Sequence, residues 1–265
     1  MSGSVLLVED IGPIRRLTLN RPEKLNALDS ALVEALSDAL GQTAEDTGVR
    51  VIVIAGAGRS FCAGYDLSEE SGPESALDGL TNSLDRLLEV FDHPRPIIAQ
   101  VHGHCLAGGC DLMMMCDLAV ASDNAVFGQP EIRFGSTVVA QVMPWLIGAR
   151  RAKELIMTGH DRLDAVEAHR IGLVNRVVPR HDLEAETMRL AQELAVIDPV
   201  VMTLTKRAIN RSWEAAGFRQ ALIEGVQLGA EIEATRAPER EEFDRIAAEQ
   251  GLQAAIRWRD QRFEG

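Results

Sequence analysis

The β-branched run from Val49 to Ala55 shows no regular alternation of apolar and polar residues, and Gly56-Ala57-Gly58 stops it. A strand with one wet face alternates, so a run without alternation belongs in a sheet covered on both faces, as in a parallel α/β layer. The neighbouring segments fit that plan. Pro13 to Asn20, with Ile14, Leu17 and Leu19, reads as a strand ended by Arg21-Pro22. Asp29 or Ser30 can cap the next helix, on which Leu32, Val33, Leu36 and Leu40 share a face. A second helix is expected over Leu77 to Phe91, followed by a strand over Pro96 to Val101. Ala107-Gly108-Gly109 then opens a short helix through Met115, ahead of a strand over Asp117 to Ala121 and a turn at Ser122-Asp123-Asn124.

Past Trp145 the strand signal shrinks to Leu173 to Val178. Helices are expected over Asp182 to Ala195, Pro199 to Trp213 and Phe218 to Ala234. The chain therefore reads as an α/β core with a helical C-terminal part. Helices outside the core must bury their apolar stripes, and subunit contacts are the natural place.

Length and charge narrow the function classes. A chain of 265 residues suits one large domain or a domain with a small appendage, and it has neither an internal repeat nor a Pro- or Ser-rich linker. A formal charge of −13 with no Lys/Arg run argues against nucleic acid and anionic membrane surfaces as partners. Met1 to Asp10 lacks a basic stretch followed by an apolar one, and no segment reaches the roughly 18 uninterrupted apolar residues of a membrane span, so a cytoplasmic protein is expected. Cys105, Cys110 and Cys116 lack CxxC spacing and read as reduced core thiols. His102 and His104 stand beside them, but zinc needs ligands that converge tetrahedrally, and no metal is expected.

Two familiar glycine motifs fail. Gly56-Ala57-Gly58-Arg59-Ser60-Phe61 has Phe61 where a dinucleotide fingerprint needs glycine, and no GxxxxGK[ST] occurs. Two backbone-exposing segments remain, Phe61 to Leu67 and Gly103 to Leu112. A helix starting near Gly108 leaves N–H groups free at its positive end, where an oxygen gaining negative charge would be stabilised. Taken alone, the same glycines serve equally well to make tight turns.

Together these segments resemble those of the crotonase family, the enoyl-CoA hydratase/isomerase superfamily. Leu19-Asn20-Arg21-Pro22-Glu23-Lys24-Leu25-Asn26-Ala27-Leu28 is similar to its N-terminal signature, and Phe127-Gly128-Gln129-Pro130-Glu131 to its second catalytic segment. Arg151 to Gly159, Gly172-Leu173-Val174-Asn175 and Thr205-Lys206 extend the likeness over nearly the whole chain. The resemblance implies a spiral core of repeated ββα units over residues 1–197, and a helical trimerisation region over 198–265 that adds to the coenzyme A site. It implies an acyl-CoA substrate, coenzyme A entering only as part of that thioester with no tightly bound cofactor, and a homotrimer or dimer of trimers.

By the same resemblance the backbone N–H groups of Tyr65 and Gly108 form an oxyanion hole, and Asp111 and Glu131 are the acid/base pair that handles water and its protons. Lys24, Ala27, Ala63, Asp66, Leu67 and Gly109 are the expected substrate and coenzyme A contacts, with Asp66 also suited to capping a turn. Arg59 and Lys206 are, with Lys24, candidate cations for the coenzyme A phosphates, although each taken alone reads first as a solvated surface charge. Ile256 to Phe263 falls where the family has a basic-aromatic segment, with Trp258 in place of a usual lysine.

Two departures bear on chemistry. Asp111 stands where hydratases carry glutamate, and Thr137-Val138-Val139-Ala140-Gln141 replaces a Pro-Gly-x-Gly-Gly stretch. Hydration of an enoyl-CoA is the leading expectation. A one-base isomerase or other enolate-forming enzyme, and a binding protein without chemistry, are its alternatives.

Overall fold

The structure is a computed structural model, and residues 3–68 and 75–263 are described. Nine strands are present among them: β1 (Leu6–Ile11), β2 (Ile14–Leu19), β3 (Val51–Gly56), β4 (Ile97–Val101), β5 (His104–Leu106), β6 (Leu118–Ser122), β7 (Val126–Gly128), β8 (Leu163–Asp164) and β9 (Arg176–Val178). The helices are α1 (Ser30–Glu45), α2 (Ala76–Asp92), α3 (Gly108–Met115), α4 (Met143–Ile147), α5 (Ala149–Met157), α6 (Ala165–Arg170), α7 (Leu183–Ala195), α8 (Pro199–Ala215), α9 (Phe218–Thr235), α10 (Pro238–Gln250) and α11 (Leu252–Gln261).

Six strands form one sheet in the order β1-β2-β3-β4-β6-β9, parallel except for the β1–β2 hairpin. The expectation from Val49 to Ala55 holds, because β3 is buried on both faces. Val51 and Val53 join Ile14, Ile98 and Val120 against Leu183, Leu190 and Ala191 of α7. Ile52 and Ile54 point the other way, into the main core shared with α1, α2 and α3. A second sheet, β5-β7-β8, stands apart from the first and carries the segment that leads into α3.

Local signals explain most boundaries. Asp29 caps α1 by accepting from the Leu32 N–H at 2.9 Å. The expected strand over Leu173 to Val178 is shorter than its apolar run. Leu173 and Val174 are buried in the core, and pairing begins only after Asn175, whose side chain accepts from the Ala119 N–H at 2.8 Å.

The C-terminal helices do two different jobs. Phe218, Leu222 and Val226 of α9 complete the main core, with Phe218 and Trp213 packed around Phe91. α10 and α11 instead cover the turn Glu131–Phe134, through Phe243, Ile246 and Ala255 against Phe134. The Phe134 and Phe243 rings stack with centroids 4.9 Å apart.

Lys206 is neither the solvated surface charge nor the phosphate contact that the sequence offered. It is buried, 2.7 Å from Asp117 Oδ2, and it donates to the Arg95 carbonyl at 3.2 Å. Lys206→Met would take the cation from Asp117 and leave it with backbone N–H donors such as that of Ile97. We expect a loss of about 2 to 3 kcal/mol in urea denaturation. An unchanged midpoint would show that the pair carries no stability.

Candidate active site

The segment from Phe61 to Asp66 is stitched between two others. On one side the Phe61 and Cys62 N–H groups donate to the carbonyls of His102 and His104, and Leu106 N–H returns a bond to Cys62. On the other, Ala63 N–H donates to Leu25, Leu28 N–H to Gly64, and Asp66 N–H to Leu28. Asn26 bolts the arrangement from within. It is fully buried, and its Nδ2 lies 2.8 to 3.1 Å from the carbonyls of Ala57, Ser60 and Phe61.

The second segment enters from β5, whose Leu106 pairs with Gly128 of β7. Ala107 N–H donates to the Gly128 carbonyl, and the chain turns there at φ +52°, ψ −132° before α3 begins. That conformation costs an alanine on the order of 1 to 3 kcal/mol. The start of α3 thereby lies close to Gly64, and a methyl built on Gly64 would lie 3.4 Å from the Gly108 nitrogen. Among the described residues, the N–H groups of Tyr65 and Gly108 have no protein acceptor. The structure thus brings together the two donors named from the sequence.

The two acids lie beyond them. Asp111 is fully buried in the first turn of α3, and both its oxygens are engaged. Gln129 Nε2 donates to Oδ1 at 2.7 Å and the Ala140 N–H to Oδ2 at 3.4 Å. Burial pushes its carboxyl up to about 7, outweighing the two donors that favour the charged form. Glu131 is buried at the start of its turn, and among the described residues no group bonds its Oε2. Burial, then the nearby Asp111, raises it well above the ordinary glutamate value, while its own backbone N–H and Arg259 act the other way.

Asp111 therefore holds its proton in the folded chain at pH values where the unfolded chain, near its ordinary value of about 3.9, has lost it. Its penalty on stability is absent below about pH 4, grows as pH rises, and is complete above about pH 7. Asp111→Asn should match the wild type near pH 4 and exceed it near pH 8, measured by chemical denaturation at each pH. A pH-independent difference would contradict this.

Gln129 was quoted from the sequence only as part of a motif. No local pattern marked it, because the chain turns at Pro130 (φ −86°, ψ 4°) into the short helical turn that starts at Glu131, and only the fold brings Gln129 to Asp111. The stretch after Glu131 closes the site. Val138, Val139 and Ala140 are buried, and Glu233 of α9 anchors the stretch by accepting from Ser136 Oγ at 2.5 Å and the Thr137 N–H at 3.2 Å.

The other expected contacts divide. Lys24, Arg59 and Leu67 are exposed, and Lys24 Nζ donates to Ser68 Oγ at 3.1 Å. Ala27 is buried and Ala63 half-buried within the stitched region. Asp66 accepts from Arg21 at 2.9 Å and from the Ser68 N–H and hydroxyl, and these bonds with the charge of Lys24 bring it down to about 2 despite its burial. It thus serves as the turn-stabilising group that the sequence also allowed. Gly109 meets Cys62, and a methyl there would lie 2.5 Å from the Cys62 carbonyl oxygen. In the C-terminal segment Trp258 packs with the α10–α11 cluster under Arg262, and Arg259 faces Asp161 and Asp260.

Comparison with known proteins agrees with this geometry. A family model described as enoyl-CoA hydratase/isomerase matches residues 11–239. The chain is 40% identical over 225 residues to a probable enoyl-CoA hydratase of Rhizobium meliloti (strain 1021), covering 83% of this chain and 87% of that one. It is 38% identical over 218 residues to the short-chain-enoyl-CoA hydratase of Clostridium acetobutylicum, covering 79% and 82%. The crystal structure of an enoyl-CoA hydratase/isomerase from Xanthobacter autotrophicus Py2 superposes with a TM-score of 0.96 at 39% identity, over 100% of both chains.

Proposed function

The chain belongs to the enoyl-CoA hydratase/isomerase family, and from that membership we propose that it is a hydro-lyase adding water across the α,β double bond of an enoyl-CoA. The fold is the crotonase fold, as the sequence resemblance implied.

The thioester oxygen is held by the N–H groups of Tyr65 and Gly108, each such donor being worth about 2.7 to 4 kcal/mol as negative charge develops there. Water adds to the β carbon, and the resulting enolate takes a proton at the α carbon. Glu131 is the group that gives this proton, and in dehydration takes it back. The observation that carries this assignment is Oε2 of Glu131, buried near Asp111 and bonded by no protein group among the described residues. Asp111, oriented by Gln129, holds the water and takes the proton that the water loses as its oxygen bonds to the β carbon. Ala27 and Ala63 leave the backbone open to the pantetheine, while Lys24, Arg59 and Leu67 border the approach of the nucleotide end.

Crotonyl-CoA and longer enoyl-CoAs should lose their conjugated absorbance on addition of the protein. No turnover of any of them would overturn the hydratase reading. One observation favours isomerisation as the second reading: both oxygens of Asp111 are committed to Gln129 and Ala140, which leaves Glu131 as a single free base. Shifting a 3-enoyl-CoA to the 2-isomer needs one such base and no water.

A self-associating assembly fits the surface. α8 hydrogen-bonds inward through Thr203, Lys206 and Asn210 to the carbonyls of Pro94, Arg95 and Phe91. Its Val200, Val201 and Leu204 are more than half exposed, as are Ile209 and, on α9, Leu228. Such a face suits a homotrimer or a dimer of trimers. Among the described residues no helix is long and apolar enough to cross a membrane, and free thiols at Cys62, Cys105, Cys110 and Cys116 fit a cytoplasmic enzyme.

A further inference from the structure

Tyr65 contributes more than a backbone donor. Its ring lies against the start of α3, so close that a methyl on Gly108 would fall 2.4 Å from Cε2 and 2.6 Å from Cδ2. The other side of the ring lines a narrow cleft between α1 and α2, walled by Leu28, Leu36, Leu87 and Leu112. The polar side chains of Ser37, Arg86 and Glu89, hydrogen-bonded to one another, sit at its outer end.

The ring borders the acids as well as the cleft, since it packs on Gly108, three residues before Asp111 on α3, and lies near enough to Asp111 and Glu131 to feel their charges. An acyl chain whose carbonyl oxygen sits between Tyr65 and Gly108 must run past Asp111 and Glu131, and so toward this ring. Burial, and the charges of Asp111 and Glu131, push the phenol up, with Ser83 opposing, so it stays neutral and acts as a wall rather than a base. Room in the cleft comes to about 30 Å³, enough for a water or two and not for an alkyl chain.

We propose that the Tyr65 side chain is the partition between the acyl end of the site and the α1–α2 cleft, and that it confines the enzyme to short acyl groups. The inference rests on the acyl-thioester reading above, though not on which reaction follows.

Tyr65→Ala removes the ring and keeps the backbone N–H, and the ratio of two ligands with the same thioester cancels any common loss at the oxyanion hole. Calorimetry with the saturated thioesters butanoyl-CoA and decanoyl-CoA separates the cases. In the wild type decanoyl-CoA should bind no tighter than butanoyl-CoA, and in Tyr65→Ala the ratio should move toward decanoyl-CoA by at least about tenfold, as added methylenes become buried. Adding Leu36→Trp, which fills the cleft, should cancel that gain. An unchanged ratio, or a gain that persists with the cleft filled, overturns the proposal.

A second measurement needs no variant. Tyr65 is the only tyrosine of the chain, so 3-fluorotyrosine labelling gives one ¹⁹F resonance. It should shift when butanoyl-CoA saturates the wild type, and a resonance that stays in place while the ligand binds overturns the partition. Thioester binding without hydration would sink the hydratase reading and leave the partition standing. No thioester binding at all would remove both.

Discussion

Glu131→Gln should lower the hydration of crotonyl-CoA by about three orders of magnitude in kcat, with KM changed only a few-fold, because the amide keeps the shape of the carboxyl and cannot carry its proton. The wild-type carboxyl is buried, raised well above its ordinary value, and bonded through Oε2 to no protein group among the described residues. A raised acid is the form able to give a proton near neutral pH. Asp111→Asn offers the contrast. If Asp111 holds the water, hydration should fall about 10- to 100-fold with it. If the reaction is a one-base isomerisation, turnover of a 3-enoyl-CoA should survive the change at Asp111 and vanish with the change at Glu131. Steady-state kinetics on the two substrates decides, and full activity of Glu131→Gln on both would remove Glu131 from the mechanism.

Gly109→Ala should be almost as damaging, although Gly109 need not touch the substrate. The added methyl would meet the Cys62 carbonyl oxygen at 2.5 Å, its Cβ at 2.7 Å and its Sγ at 2.8 Å. Two of these three atoms are fixed by the strand-like bridge to Cys105 and the bond from Leu106 N–H. Either α3 moves outward, carrying Gly108 and Asp111 with it, or the Cys62 segment moves and carries Tyr65. A displacement near 1 Å costs about 100-fold in turnover, and the overpacking itself about 1 to 3 kcal/mol of stability. Paired kinetics and denaturation curves test this, and a variant with normal kcat would show that the contact relaxes without moving either donor.

Much of this was legible in the residues. The two-sided burial of β3, the cap of α1 and the stripes of α1 and α2 follow from local pattern, because each is set by periodicity or a capping residue, whereas the glycines only marked the two segments and the family resemblance gave them Tyr65 and Gly108 as donors. β1 was missed although Gly12-Pro13, with Gly12 at φ +58°, is a two-residue hairpin turn joining it to β2. Its Val5-Leu6-Leu7-Val8 is an apolar run that was passed over, and most of these side chains do not join the core: of Leu6 to Ile11 only Leu6 is buried. β5, β7 and β8 span two or three residues each, too short for any period to register. The misreading of Lys206 has the same origin: its partner Asp117 lies far away in sequence, and only the packing of α8 on the loop before β4 brings them together. For Asp111 the residue type was plain, but the Gln129 and Ala140 bonds that occupy it were not.

On the proposed reading, in which the Tyr65 and Gly108 N–H groups hold the thioester, ligand affinity is also a measure of folding. Tyr65 hangs on the chain that leaves β3, Gly108 on the chain that leaves β5, and cross-bonds through Cys62, Leu28 and Gly128 tie them. No single hairpin or helix carries both, so a partly folded chain has nothing with which to grip a thioester. Affinity then belongs to the native state alone, and a bound acyl-CoA at 100 times its Kd would raise the unfolding free energy by about 2.7 kcal/mol. Any substitution that loosens the α/β core would weaken apparent binding in proportion to the unfolded fraction, without touching the site.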